Sequence, residues 1–406
     1  MGVTSCLEIC SKNENEFVNP FSEIKKQEET NKKGENNKEE NNILNNSDND
    51  INNINEEQLK EDYKFKAFKN KFETVLPNFG QYIDKEQFNE NIPENVRSYM
   101  DQNEFQLPDN LHINENIYEM PPIKFKNDNL YEGYWNENII MDGLGKYYIA
   151  DGNLFIEGVW DNGRSIYGRI YYPNNNIYEG FINNSNCEGK GKLIYDTGEI
   201  YEGDFSNGEL DGEGKLTFTD KTIYEGQFSK GEINGKGIMK WPNGIIYDGY
   251  FSKGTLNYQG KLIGNGQEQY EGNFQNNFFS GKGKYTFEDG STYEGDFESG
   301  LRNGKGIYIK KDEFSYEGSW ANDYAHGFGT YSFGSVNVKG IWRNGYNAEI
   351  TKVEGCEIND FNHEILNFKI PAINLKTESL TNLMTGNNIK NFASSNNPSY
   401  LNSKEN

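Results

Sequence analysis

From Tyr178 to Tyr316 the chain returns every 23 residues to an aromatic, an acid and a glycine, as in Tyr201-Glu202-Gly203, Tyr224-Glu225-Gly226 and Tyr293-Glu294-Gly295. The full set of opening positions is Tyr131, Ile156, Tyr178, Tyr201, Tyr224, Tyr247, Tyr270, Tyr293, Tyr316 and Val338, with spacings of 25, 22, six of 23, and 22 residues. A pocket needs such a trio once, whereas a stack of equivalent units needs it at every level. A period held this tightly predicts an array.

Within the copy 201–223, Tyr201, Gly203 and Phe205 occupy alternate positions and point to one face of a strand. Ser206-Asn207-Gly208 reads as a hairpin turn, because Asn and Gly accept the left-handed region. A second strand is expected through Gly212, Gly214, Leu216 and Phe218, so that each copy is one hairpin with an aromatic face. The glycines at the third, twelfth and fourteenth places are expected to share that face and leave room for the rings. These are Gly203, Gly212 and Gly214 in one copy, Gly226, Gly235 and Gly237 in the next, and Gly272, Gly295 and Gly318 beside Tyr270, Tyr293 and Tyr316. Phosphate cradling would require a strand, a glycine-rich loop and a helix. Runs such as 212–215 and 281–284 are never completed to that spacing.

The second place is acidic in nine successive copies, from Glu132 to Glu317. The thirteenth carries Lys190, Lys236, Lys282 and Lys305, a candidate surface lysine row, interrupted by Glu213, Gln259 and Phe328. Both places are expected to face away from the rings and to set opposite charges across neighbouring strands. Evenly spaced carboxylates of this kind read as a solvated ladder, and no catalytic residue is assigned.

Composition narrows the class further. Hydrophobic residues make up 34% of the chain and aromatics 14%, with 44 glycines, a mixture suited to β-structure built from tight turns. The net charge is −23, and residues 131–350 alone hold 20 Lys/Arg against 31 Asp/Glu, or −11, which argues against nucleic acid as a partner. Cys6, Cys10, Cys187 and Cys356 are scattered, and with three histidines they form no zinc-ligand spacing, so neither metal nor cofactor is expected. Together with the lack of a secretory segment this points to a cytoplasmic protein.

Four zones are distinguished. Residues 1–56 are rich in Asn, Glu and Lys and are expected to be disordered. Residues 57–118 are expected to be a helical segment capping the first edge of the array, with a docking helix for a partner as the alternative. Leu59, Tyr63, Phe68, Phe72 and Val75 set one helix that Pro77 stops, and a second follows Pro93 near 94–105. The array occupies 119–354. Residues 355–406 are expected to be a mostly disordered tail, with a short helix near Leu380.

The pattern YEGxFxxGxxxGxGxxxxxxGx, seen in 201–215, 224–237 and 293–306, resembles the MORN repeat. The resemblance covers about half the chain and implies an all-β, elongated antiparallel β-meander, one hairpin per repeat, acting as a non-catalytic scaffold for protein partners. Ile156 and Val338 depart from the opening aromatic, Tyr258 from the twelfth-place glycine, and Phe181 stands one place early. Tyr258 raises a local bulge. Phosphoinositide binding, which the family resemblance suggests, runs against the −11 charge, from which the lysine row would have to escape.

The chain begins MGVTSCLEIC. Gly2 resembles an N-myristoylation signal, with Cys6 standing where that pattern takes Ser or Thr, and Cys6 and Cys10 are candidate palmitoylation sites. A single myristoyl chain holds a membrane only marginally, so two or three acyl chains would be the anchor. The leading expectation is therefore a MORN scaffold tethered to a membrane or cortical structure through Gly2, Cys6 and Cys10. The alternatives are a ciliary or cytoskeletal component without a lipid anchor, and a regulatory subunit of a phosphoinositide enzyme.

Overall fold

The computed structural model of the protein describes residues 56–109, 111–183, 186–355, 366 and 370–373. The chain divides into an amino-terminal unit that ends at Asp196 and a carboxy-terminal unit that starts at Thr197.

The amino-terminal unit holds α1 (Glu56–Phe79), β1 (Gly80–Tyr82), α2 (Lys85–Glu90), α3 (Glu94–Gln102), β2 (Ile117–Phe125), β3 (Leu130–Asn136), β4 (Met141–Ile149), β5 (Leu154–Asp161), β6 (Arg164–Tyr171), β7 (Ile177–Asn183) and β8 (Asn186–Ile194). The strands pair antiparallel in sequence order from β2 to β8, with β1 on the free edge of β2. Two further strands thus precede the first repeat.

Helix α1 lies on the aromatic face, where Phe72 meets Trp135 edge-on at 5.1 Å and Phe79 reaches both Trp135 and Phe125. Pro77 does not stop this helix, which continues to Phe79. Proline deletes one hydrogen bond in the last turn, and the buried Phe72, Leu76 and Phe79 hold that turn in place. Helix α2 is an addition to the two expected helices, although Asp84 and Gln87 spell a capping box, each side chain bonding the other's backbone N–H. Helices α2 and α3 pack on the opposite face of the sheet, where Phe88, Ile92 and Val96 bury against Leu130, Phe155 and Tyr171.

The carboxy-terminal unit is a meander of fourteen described strands. They are β9 (Ile200–Ser206), β10 (Glu209–Thr217), β11 (Ile223–Ser229), β12 (Glu232–Lys240), β13 (Ile246–Ser252), β14 (Thr255–Ile263), β15 (Gln269–Gln275), β16 (Phe278–Thr286), β17 (Thr292–Glu298), β18 (Leu301–Lys310), β19 (Phe314–Ala321), β20 (Tyr324–Phe333), β21 (Val336–Arg343) and β22 (Tyr346–Glu354). Each pairs antiparallel with the next, so the all-β repeat meander expected from the sequence is the observed fold. The hairpin turns sit at the seventh and eighth places, as at Asn207 (φ 49°) and Gly208 (φ 82°), both left-handed.

The first-place tyrosines form the core. Tyr201, Tyr224, Tyr247, Tyr270, Tyr293 and Tyr316 are fully buried, and each is met edge-on by the fifth-place ring of its own copy and of the next, as Phe228 and Phe251 do for Tyr224 at 5.2 and 5.1 Å. In the tail, Leu366 and Ile373 are buried, so part of what was expected to be disordered docks on this unit. The expected disorder of 1–56 and the helix near Leu380 lie outside the described residues, but for Glu56.

Candidate protein-binding groove

The register of the strands builds the site. Third- and fourteenth-place glycines pair within copies and between them, so one unbroken row runs Gly203, Gly214, Gly226, Gly237, Gly249, Gly260, Gly272, Gly283, Gly295, Gly306, Gly318, Gly329 and Gly340. On the aromatic face each glycine pair is roofed by a tyrosine. A Cβ on Gly203 would lie 2.5 Å from the Tyr201 hydroxyl. On the opposite face the row is bare backbone, flanked by the outward side chains of the neighbouring places.

A bulge sets those flanking places. Phe205 faces Leu210 and Gly203 faces Gly214, so three residues on β10 oppose the single Asp204 on β9. The fourth-place carbonyl lies within this bulge and accepts a hydrogen bond from the first-place tyrosine, at 2.8 Å from Tyr201 to Asp204 and 2.9 Å from Tyr224 to Gln227. The same bond recurs at Tyr247, Tyr270, Tyr293 and Tyr316. Burial pushes the hydroxyl pKa of Tyr201 well above the ordinary tyrosine value, and the nearby Asp204 carboxylate pushes it further.

The bulge corrects two expectations and adds a core position. Gly212 and Gly235 do not share the face of the rings: both are left-handed, and a Cβ on Gly212 would meet the Asp204 side chain at 2.8 Å. The tenth place, assigned no role from sequence, is buried as Leu210, Ile233, Leu256 and Phe279. The second-place acids do not oppose the thirteenth-place lysines but the fifteenth place. Lys215 stands between Glu202 and Glu225, and Lys284 between Glu271 and Glu294.

Tyr258 takes the left-handed conformation at the twelfth place (φ 61°) while 65% exposed. Its register shift is the one shared by the other copies from β9 to β20, so no extra bulge marks it.

The lysine row is dispersed by its neighbours. Lys236 stands opposite Tyr250, Lys282 binds Asp296 at 2.7 Å, and Lys305 donates to Ser319 Oγ at 2.8 Å. The Lys282 hydrogen bond holds the Asp296 carboxyl below the usual carboxylate range. Lys190 is exposed on β8 of the amino-terminal unit. Gly2, Cys6 and Cys10 lie outside the described residues.

In the carboxy-terminal unit the glycine row floors a groove of about 1440 Å³ across β14 to β22. Glu271, Lys284, Glu294 and Glu317 form one wall, and Lys282 and Lys305 stand on the other. Towards its far end the walls turn apolar and remain open, with Ile307 39%, Ile309 49% and Phe328 67% exposed. Among the described residues no group of three or more His, Cys, Asp or Glu could hold a metal ion.

The equivalent face of the amino-terminal unit is occupied by the chain itself. Besides α2 and α3, buried Arg169 bonds Glu179 at 2.8 Å and Glu157 at 3.2 Å and donates to the carbonyls of Asn103 and Glu104. Glu157 is buried there, unlike the solvated ladder expected of the second place. The segment laid over the strands excludes water from it.

Comparison with known proteins agrees with this repeat plan. The family model described as MORN repeat matches residues 131–154, 178–200, 201–223, 224–246, 270–292, 293–313 and 316–335. No curated protein matches the chain. Among solved structures, the TCP10 domain of Danio rerio CPAP in complex with a peptide of Danio rerio STIL is 12% identical over 43% of this chain and 77% of that one, with a TM-score of 0.28. The SAS-4 (dCPAP) TCP domain of Drosophila melanogaster, in complex with a proline-rich motif of Ana2 (dSTIL), is 16% identical over 48% and 98%, with a TM-score of 0.24. Likeness at that level carries no argument about site or partner. The unmatched stretches 155–177 and 247–269 contain the departures Ile156 and Tyr258, yet fold on the same hairpin plan as the matched copies. With seven matched copies and this shared plan, the chain is a MORN-repeat protein.

Proposed function

We propose that the protein is a non-catalytic scaffold that holds a protein partner in the groove of its carboxy-terminal unit. One contrast carries this reading. In the amino-terminal unit the face bearing the second-place acids is filled by α2 and α3, whose Phe88, Ile92 and Val96 supply the apolar contact. In the carboxy-terminal unit the same face leaves Ile307, Ile309 and Phe328 exposed beside a bare glycine floor. Apolar side chains grouped in a groove with a polar rim are what a protein partner buries. The occupant of the first unit indicates the kind that fits the second: an amphipathic segment with apolar residues towards the strands.

The test is crosslinking in cells from a photoreactive residue placed at Thr330 of the full chain, beside the same chain carrying Ile307→Asp and Phe328→Asp. A discrete partner crosslinked by the first and lost from the second, with urea midpoints unchanged, supports the groove. The same partner on both chains would place binding elsewhere.

A further inference from the structure

The pair Arg302 and Asp323 breaks the repeat. Arg302 occupies the tenth place, which is aliphatic or aromatic as Leu210, Ile233, Leu256 and Phe279 in other copies of this unit. Asp323 occupies the eighth place of the following copy, where Gly208, Gly231, Gly254, Gly300 and Gly345 stand in five copies of this unit and the uncharged Asn277 in another. The two places are neighbours throughout: Gly231 N–H donates to the Leu210 carbonyl at 2.9 Å, and Asp323 N–H to the Arg302 carbonyl at 3.0 Å. A guanidinium has therefore replaced an apolar side chain, and a carboxylate has arrived beside it.

Arg302 is 1% exposed, with its guanidinium 4.8 Å from the Trp320 ring and its Nε 2.6 Å from Asp323 Oδ1. Removing two charges from water costs several kcal/mol, and an apolar pair of similar volume is often at least as stabilising. The other copies pack this place without charge, so packing alone does not account for the pair. What sets it apart is a contact to a segment outside the array. Arg302 Nη2 donates to the Pro371 carbonyl at 2.9 Å, and Asp323 Oδ2 accepts from the Ile373 N–H at 3.4 Å. The Ile373 side chain is buried beside them.

This is how an extended peptide is read: a carbonyl, then an amide two residues later, with an aliphatic side chain at the second position. The resident segment leaves the site partly unused. Arg302 Nη1 is buried with no hydrogen-bond partner among the described residues, and a cavity of about 360 Å³ beside it is lined by Phe278, Leu301 and Tyr324 together with Ile370 and Ile373.

We propose that Arg302 and Asp323 form a peptide-binding site, separate from the groove, whose resident ligand is the chain's own segment 370–373. A partner bearing an extended segment of the same chemistry displaces it. Tethering gives the resident segment a high effective concentration, so the site is closed to outside peptide until the segment is weakened.

The test uses the full chain and a fluorescent synthetic peptide covering residues 366–376, read by anisotropy. The peptide should bind the Ile373→Asp chain at least tenfold more tightly than the unaltered chain, because the altered segment no longer fills the site. Binding should be lost when Arg302→Leu and Asp323→Gly are added, a pair that restores the residues found in other copies. It should also be lost when the peptide itself carries Ile373→Asp, a control that leaves the protein untouched. Equal binding to the unaltered and Ile373→Asp chains, no binding to the Ile373→Asp chain, or binding that survives either control would overturn the proposal.

Discussion

A Cβ added to Gly237 would lie 2.5 Å from Cε2 of Tyr224. The ring cannot yield, because it is fully buried and held edge-on by Phe228 and Phe251. The glycine is thus required by the tyrosine rather than by its own backbone, whose φ is not in the left-handed region.

Gly237→Ala should therefore destabilise the carboxy-terminal unit by roughly 1–3 kcal/mol, the usual range for overpacking. Glu225→Gln, which touches only the half-exposed ion pairs with Lys215 and Lys240, should change stability by less than about 1 kcal/mol. Urea denaturation midpoints should rank the two in that order. The reverse ranking would mean that the faces of the sheet are wrongly assigned.

Tyr224→Phe keeps the ring and deletes the donor to the Gln227 carbonyl within the bulge. The bond is part-buried, so its loss should cost about 0.5–1.5 kcal/mol, the net worth of a typical intramolecular hydrogen bond. The same change at Tyr250, which is 45% exposed, should cost almost nothing. Equal effects at both positions would show that the hydroxyl bond is not what holds the bulge.

Tyr258→Gly should raise stability by up to about 1 kcal/mol. A non-glycine residue in the left-handed region costs roughly 1–2 kcal/mol, the greater unfolded-chain freedom of glycine offsets part of that gain, and little buried area is lost. A fall in the denaturation midpoint would instead assign Tyr258 a packing role.

Alkaline pH should unfold the array. Burial raises the folded-state pKa of Tyr201, Tyr224, Tyr247, Tyr270, Tyr293 and Tyr316 well above the unfolded value of 10.0. Above that value the unfolded chain releases protons that the folded chain retains, so stability present below pH 10 is lost as the pH climbs past it. Ultraviolet titration should show exposed tyrosines ionising first and the buried set only together with loss of the β circular dichroism. Ionisation of every tyrosine near pH 10 with the fold intact would contradict the packing described.

The period, the hairpin turns and the aromatic core were legible in the sequence because each depends on neighbours along the chain. Asn207-Gly208 accepts its turn without reference to any other copy, and Tyr201, Gly203 and Phe205 share a face through the two-residue repeat of a strand. The tertiary structure decided what depends on register and on contacts between distant segments. A bulge that sets three residues of one strand against one of the next cannot be counted by alternation, so the burial of Leu210, the outward turn of Gly212 and the fifteenth-place partners of the acids all escaped prediction. Coverage escaped it as well. Whether a face of the sheet is filled, as α2 and α3 fill one around Phe155, or left open, as at Phe328, depends on segments brought back from elsewhere in the chain. The clasp of Arg302 on Pro371, 69 residues away, has the same cause: chain entropy opposes closing so long a loop, and only the folded strands bring the carbonyl to the guanidinium.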